Sequence, residues 1–190
     1  MEFPTLQTER LILREWTDGD AENLYEIFRH ESVVQYCPFE PYTSHEDGLK
    51  RVEGSRIFFH EKNLGFTWGI CERETGKALG DIDFTYRDRR DFRVQLGCCF
   101  APSGWGKGFA TEALAEVIRY GFEDFPLFKI NRLEAGTDPR NTSARKLLDK
   151  LGFREEALMR QYYFEHGKFV DQHIYGLLRE DWVKRNVSAK

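Results

Sequence analysis

The run Phe100-Ala101-Pro102-Ser103-Gly104-Trp105-Gly106-Lys107-Gly108-Phe109-Ala110-Thr111-Glu112-Ala113 decides how this chain is to be read. It is rich in glycine, and its flanks differ in period. Residues 94–100 read as a strand, whereas Ala110, Ala113, Leu114, Val117, Ile118 and Gly121 recur at helical spacing. Glycine lets the backbone turn tightly and approach a ligand with no Cβ between. The first turn of a helix carries N–H groups without intrahelical partners, at the positive end of its dipole. Strand, glycine turn and helix together predict a phosphate or pyrophosphate bound near residues 105–111.

Two common phosphate loops do not fit. A Walker loop needs Ser or Thr after Gly-Lys, and Lys107 is followed by Gly108. The dinucleotide fingerprint needs a small residue three places after its second glycine; the available positions hold Phe109 or Thr111. A plain glycine turn joining strand to helix is the bland alternative.

Working outward, residues 10–16 alternate as a first strand. Thr17 to Asp20 forms a capping-box-like start, and Ala21, Leu24, Ile27 and Phe28 mark the helix face that follows. Residues 33–43 hold two prolines and read as a loop, and Ser44 opens a second helix reaching about His60. Strands are expected at 65–72, 78–86 and 92–100, and the glycine-loop helix should end near Phe122. A strand at 129–137 follows. Asn141 then caps a helix whose inner face is Ala144, Leu147, Leu148 and Leu151, stopped by Gly152. Two last strands, 155–164 and 169–178, turn at His166-Gly167, and the final eight residues read as a frayed tail. This order is α+β with a mostly antiparallel sheet. The strands at 92–100 and 129–137 are joined through a helix and should be parallel.

The 190 residues suit one domain, 1–190, with a core at about 8–182 and a tail at about 183–190. No apolar run is long enough to span a membrane, and the N-terminal residues lack a basic-then-apolar signal pattern, so a soluble, cytoplasmic protein is expected. The four cysteines, Cys37, Cys71, Cys98 and Cys99, have no metal-ligand spacing and read as reduced thiols; no metal is expected. Cys98 and Cys99 should point to opposite faces of their strand. A net charge of −4 argues against nonspecific nucleic-acid binding. The cluster Arg87, Arg89, Arg90 and Arg93 is interleaved with Asp88 and Asp91 and reads as a solvated hairpin turn.

The segment Trp105-Gly106-Lys107-Gly108-Phe109-Ala110-Thr111-Glu112-Ala113 resembles the acetyl-CoA loop of the GCN5-related N-acetyltransferases (GNAT), in particular the RimJ/RimL type that modifies ribosomal-protein N-termini. The family loop is written Gln/Arg-x-x-Gly-x-Gly/Ala. Ser103, Gly106 and Gly108 hold those places, with Ser103 departing from the usual residue. Thr8-Glu9-Arg10-Leu11-Ile12-Leu13-Arg14 is similar to the opening strand. Asn141-Thr142-Ser143-Ala144-Arg145 begins a stretch similar to the helix across the CoA arm. Arg160 to Tyr163, Gly167 to Asp171 and Leu177 to Trp182 are similar to the closing strands. The resemblance implies a GNAT-like fold: a twisted sheet of about seven strands, flanking helices and a splayed parallel pair that admits the pantetheine arm. It implies direct acetyl transfer from acetyl-CoA to a primary amine in a ternary complex. The acceptor is a protein N-terminus or a small amine. A homodimer is plausible by the same resemblance.

On that reading the N–H groups of Trp105, Gly106, Lys107, Gly108, Phe109, Ala110 and Thr111 hold the pyrophosphate. A backbone N–H near Cys99 or Phe100 polarises the thioester carbonyl. Asn141 and Arg145 serve the CoA arm. The base is less determined. Relatives often carry Glu where this chain has Gln95, and glutamine cannot take a proton. Glu134 is the first candidate, with Asp81 and Asp83 behind it. Relatives often have serine at the fourth position of the Asn-x-x-Ser helix start; here that place is Ala144, so Ser143 is the candidate acid, with Tyr162 and Tyr163 as fallbacks. Gln95 and Ala144 also motivate an alternative, a CoA-binding module of the same fold with weak turnover.

Overall fold

The computed structural model describes residues 2–88 and 90–187. Among them, eight strands form one sheet in the order β1-β2-β3-β4-β5-β6-β8-β7. The strands are β1 (Leu6–Gln7), β2 (Leu11–Arg14), β3 (Gly65–Glu72), β4 (Ala78–Asp88), β5 (Arg93–Phe100), β6 (Arg132–Thr137), β7 (Arg154–Glu165) and β8 (Lys168–Leu178). The helices are α1 (Ala21–Phe28), α2 (Glu31–Val34), α3 (His45–Arg56), α4 (Phe109–Glu123), α5 (Thr142–Leu151) and α6 (Arg179–Val187). All neighbouring strands are antiparallel except β5 and β6. The expected α+β class and the single parallel pair are therefore observed.

Period-two alternation sorts each strand between two helical layers. On one face Ile82, Phe84, Val94, Leu96 and Leu133 pack with Ala113, Val117 and Ile118 of α4 and Leu148 of α5. On the other, Trp16, Leu24, Phe28, Val34 and Val52 gather α1, α2 and α3 into a second cluster. Gly69 makes room for this layer: a Cβ there would meet the Trp16 ring at 2.6 Å.

Several boundaries hold closely. The Thr17–Asp20 capping box is formed, with Thr17 Oγ1 donating to Asp20 Oδ2 at 2.7 Å. Asn141 Oδ1 accepts from the Ala144 N–H at 3.0 Å, and Gly152 ends α5 at φ 93. His166 and Gly167, at φ 49 and 76, make the tight turn between β7 and β8.

Three expectations are corrected. Strand β1 adds an eighth strand, formed by only two residues, too short to show alternation. Within the expected loop at 33–43, the end of α2 is helical because Val33 and Val34 are buried against α1. Residues 179–187 are helical, where the closing-strand resemblance ran to Trp182 and the tail was to start at 183. Trp182 packs on Phe122 at 5.5 Å between ring centroids and anchors that helix to α4. Of the arginine cluster, Arg89 lies outside the described residues, as do 188–190 of the tail.

Candidate active site

Strands β5 and β6 pair only from Arg93↔Arg132 to Leu96↔Ala135. Beyond that point β5 continues through Gly97, Cys98, Cys99 and Phe100 with β4 alone, while β6 continues with β8 alone. The sheet therefore opens a gap at the C-terminal ends of its two parallel strands. Each strand then feeds a helix, β5 into α4 and β6 into α5, so two helix N-termini flank the same opening.

The ladder decides which backbone groups face the gap. The Ala101 N–H donates to Leu79 O on the β4 side at 2.7 Å. Strand alternation then turns the N–H of Cys99 toward β4 and that of Phe100 toward the gap. The Phe100 carbonyl agrees: it accepts from Trp105 Nε1 at 2.7 Å. Of the two expected carbonyl-polarising donors, only Phe100 N–H is directed at the opening. Cys98 and Cys99 do face opposite ways. Cys98 is exposed, and Cys99 Sγ lies 3.1 Å from Cys37 Sγ under the α1–α3 layer. The Cys37 contact, with burial, pushes the Cys99 thiol well above its ordinary value. It stays a thiol rather than a nucleophilic thiolate.

The glycine loop has the shape its sequence implies. Gly106 and Gly108 sit at φ 72 and 80, in the left-handed region, and Gly108 immediately precedes α4. The N–H groups of Phe109, Ala110 and Thr111 form the first turn and have no carbonyl a turn earlier to meet. The opening strand pins this loop from outside. Arg10 Nη1 donates to the Lys107 carbonyl at 3.0 Å, its Nε to Glu112 Oε2 at 2.7 Å, and its guanidinium lies 4.5 Å over the Phe109 ring. Thr8 Oγ1 also donates to Glu112 at 2.5 Å. Against the cost of burial, the bonds from Thr8 and Arg10 hold Glu112 below its ordinary carboxylate value. The sequence reading missed this strap: Thr8 and Arg10 were legible as a strand start, but not as partners of a residue a hundred positions away.

The remaining sequence candidates are dispersed. Asn141 is at the α5 start, its side-chain oxygen used for the cap. Arg145 Nε donates to Tyr175 OH at 3.3 Å and its Nη2 is 3.4 Å from Glu155, so it leans toward β7 and β8. Ser143 is exposed, one residue and hence about 100° from Ala144. Tyr162 is exposed, its ring against Tyr163. Glu134 is beside Gln95, within the paired part of the two strands. Its Oε1 accepts from Arg132 Nε at 2.7 Å and Arg93 Nη1 at 3.4 Å, an arrangement that suits an ion pair better than a proton acceptor.

A cavity of about 690 Å³ lies on the α1–α3 face of the sheet. Its floor is Thr67, Asp83 and Thr85, and its walls include Glu40, Tyr42, Asp47, Lys50, Arg51 and Phe58. Arg51 is anchored by Asp81 at 2.8 Å; attraction to that carboxylate raises the guanidinium further above its ordinary value, so it is always charged. Burial pushes the Tyr42 phenol up to about 12 and keeps it a donor. The β7–β8 turn reaches the segment that supplies Glu40: His166 Nε2 donates to the Cys37 carbonyl at 3.2 Å, and Nδ1 is 2.9 Å from Glu40 Oε1. Among the described residues no group of three His, Cys, Asp or Glu could hold a metal, and no helix is long and apolar enough to cross a membrane.

A family model described as an acetyltransferase (GNAT) domain matches residues 10–154. The chain belongs to the GNAT family. The uncharacterized N-acetyltransferase YoaA of Bacillus subtilis (strain 168) is 34% identical over 177 residues, covering 93% of this chain and 98% of that protein. Among solved structures, spermidine N-acetyltransferase from Vibrio cholerae, in complex with CoA and spermine, has a TM-score of 0.77 at 20% identity, covering 93% of this chain and 99% of the other. RimL, a ribosomal L7/L12 alpha-N-protein acetyltransferase in complex with coenzyme A, has a TM-score of 0.79 at 18% identity, covering 92% and 98%. This GNAT protein is an N-acetyltransferase that uses acetyl-CoA and an amine acceptor. The resemblance stated from the loop is thus correct at the level of family, fold and reaction.

Proposed function

We propose that this GNAT enzyme acetylates a small cationic primary amine that enters through the cavity over Thr67, Asp83 and Thr85. The cavity itself carries this reading: an open-sided space of about 690 Å³ lined by the carboxylates of Glu40, Asp47 and Asp83 beside Lys50 and Arg51, with the β7–β8 turn bonded to its Glu40 side. A cavity of this size, with three carboxylates against two cations, suits a small ammonium better than a folded protein's N-terminus. The likeness to a spermidine acetyltransferase solved with spermine is consistent with it.

Acetyl-CoA would sit at the gap where β5 and β6 part. Its pyrophosphate would take the N–H groups between Trp105 and Thr111, with Asn141 and Arg145 available to the arm across the gap. Its thioester oxygen would accept from Phe100 N–H, where negative charge develops during transfer. The pantetheine arm is itself amide-bearing and can pair with the strand groups that β6 leaves unmatched beyond Leu96. The reduced cysteines suit a cytoplasmic location, and exposed Leu158, Met159, Phe164 and Phe169 on the edge hairpin suit a homodimer.

Steady-state thiol release with acetyl-CoA tests the acceptor. The panel should hold polyamines, amino-acid amides, an aminoglycoside and an N-terminal peptide of a ribosomal protein. The expected result is a kcat/KM for at least one small amine more than tenfold above the peptide. A clear preference for the peptide would overturn the small-amine reading. No turnover with any amine, alongside intact acetyl-CoA binding, would support the weak-turnover alternative.

A further inference from the structure

We propose that Asp83 is the carboxylate that takes the proton from the acceptor amine as its nitrogen bonds to the acetyl carbon. This rests on the acceptor entering through the cavity described above. Three carboxylates were in contention from sequence, and their surroundings separate them. Glu134 is committed to Arg132 and Arg93. Asp81 is 1% exposed and sits beneath Arg51, which donates to it through both Nε and Nη2. Asp83 has its side chain 39% exposed and lines the cavity.

Position along the ladder is the stronger argument. Asp83 pairs with Gly97, and Gly97 is the first β5 residue past the last pair with β6. The carboxylate is thus level with the place where the gap opens, three residues before Phe100. Gly97 has no side chain to stand between them; even a bare Cβ there would lie 4.0 Å from Asp83 Oδ2. Asp83 thus lines the cavity and lies in register with the start of the gap, one strand away.

The carboxylate is also oriented with capacity to spare. Thr67 Oγ1 donates to Oδ1 at 2.7 Å and fixes the rotamer. Arg51 is nearer Asp81, at 2.8 Å, than Asp83 Oδ2, at 3.5 Å, so Oδ2 keeps room for a second donor. The groups around it are Arg51 from α3, Thr67 from β3, Asp81 and Thr85 from β4, and Gly97 from β5. An ammonium fits this mixed-charge setting, attracted by Asp83 and kept from Asp81 by Arg51. In the transfer the N–C bond forms and the C–S bond breaks. The bound ammonium gives one proton to Asp83 Oδ2, which later passes it to solvent through the cavity, and so frees the lone pair that attacks; the nitrogen's second proton is lost to water as the amide forms. CoA leaves as a thiolate that is protonated from water.

The test uses the full chain with Asp83→Asn. The expected result is a kcat lower by about 10²–10⁴-fold, with the acetyl-CoA thermal shift retained. The residual rate should rise with pH as more amine arrives already neutral, and Asp83→Glu should recover part of the loss. Wild-type kcat and an unchanged pH profile in Asp83→Asn would overturn the proposal. Should that variant fail to fold, Thr67→Val removes only the orienting bond. A several-fold drop in kcat at constant acetyl-CoA affinity then supports the assignment, and no drop counts against it. The same variants assayed with whichever acceptor the wild type prefers separate a wrong acceptor class from a wrong base: a peptide-specific wild type still reads Asp83.

Discussion

At the scale of single residues, the site is governed by positions where a side chain is missing. Gly108 holds a left-handed conformation that costs an L-residue about 1–2 kcal/mol. Gly108→Ala should therefore weaken acetyl-CoA binding by roughly 5–30-fold, using about 1.4 kcal/mol per decade. Titration calorimetry with acetyl-CoA reads this directly. Gly97 acts differently, since its conformation is ordinary and its value is emptiness beside Asp83. Gly97→Val should lower kcat/KM for the amine by more than tenfold while leaving thermal stability close to wild type. Glu134→Gln offers the contrast: loss of two guanidinium contacts should lower Tm, whereas kcat should change less than tenfold. A larger loss of kcat at unchanged Tm would restore Glu134 as a proton acceptor.

At the scale of elements, two contacts hold the site's halves in place. One is the strap from Arg10, just before β2, to the Lys107 carbonyl of the glycine loop and to Glu112 of α4. Arg10→Ala should cost about 1–2 kcal/mol in loop organisation, seen as weaker acetyl-CoA binding with kcat at saturation largely kept. Because Glu112 is held below its ordinary carboxylate value in the folded chain, its contribution is complete above that ordinary value, about 4.3. It is lost as pH falls through the lower folded value. Thermal stability measured downward from pH 7 should thus hold until about pH 4 and then fall, less steeply in Glu112→Gln. The other contact is the crossing of α1 and α3 at Gly48, where a Cβ would lie 2.1 Å from the Ala21 carbonyl. Gly48 is one turn before Arg51, so Gly48→Ala should lower Tm by several degrees and disturb the cavity wall together.

At the scale of the whole molecule, the sheet is interrupted where its two parallel strands part, and α4 and α5, which follow those strands, touch each other. A ligand bound in the gap between β5 and β6 would bridge the two strands. Acetyl-CoA at a hundred times its Kd should add about 2.7 kcal/mol to stability. For a chain of this length that raises Tm by roughly 5–10 °C, with ATP and NAD giving no comparable shift. A shift with ATP alone would reopen the assignment of the loop.

The fold was legible to the extent that its signals are local. The glycine loop, the Asn141 cap, the Gly152 stop and the Thr17–Asp20 box each depend on neighbours within a few residues, and each is formed. Alternation placed β3 at 65–72 as observed, because both ends are marked by turn residues. The two-residue β1 and the helix α6 escaped for the opposite reason. One is too short to carry a period, and the other is held by Trp182 against Phe122, a contact between distant segments. So the sequence by itself determined the family, the reaction and the glycine turn that opens α4, since a loop's dihedral needs and a helix's free N–H groups are written in consecutive residues. Tertiary structure alone decided which of the three candidate carboxylates lines the cavity. Asp81, Asp83 and Glu134 are chemically alike in the sequence; only strand register, Arg51 above and the two arginines beside Glu134 make them different.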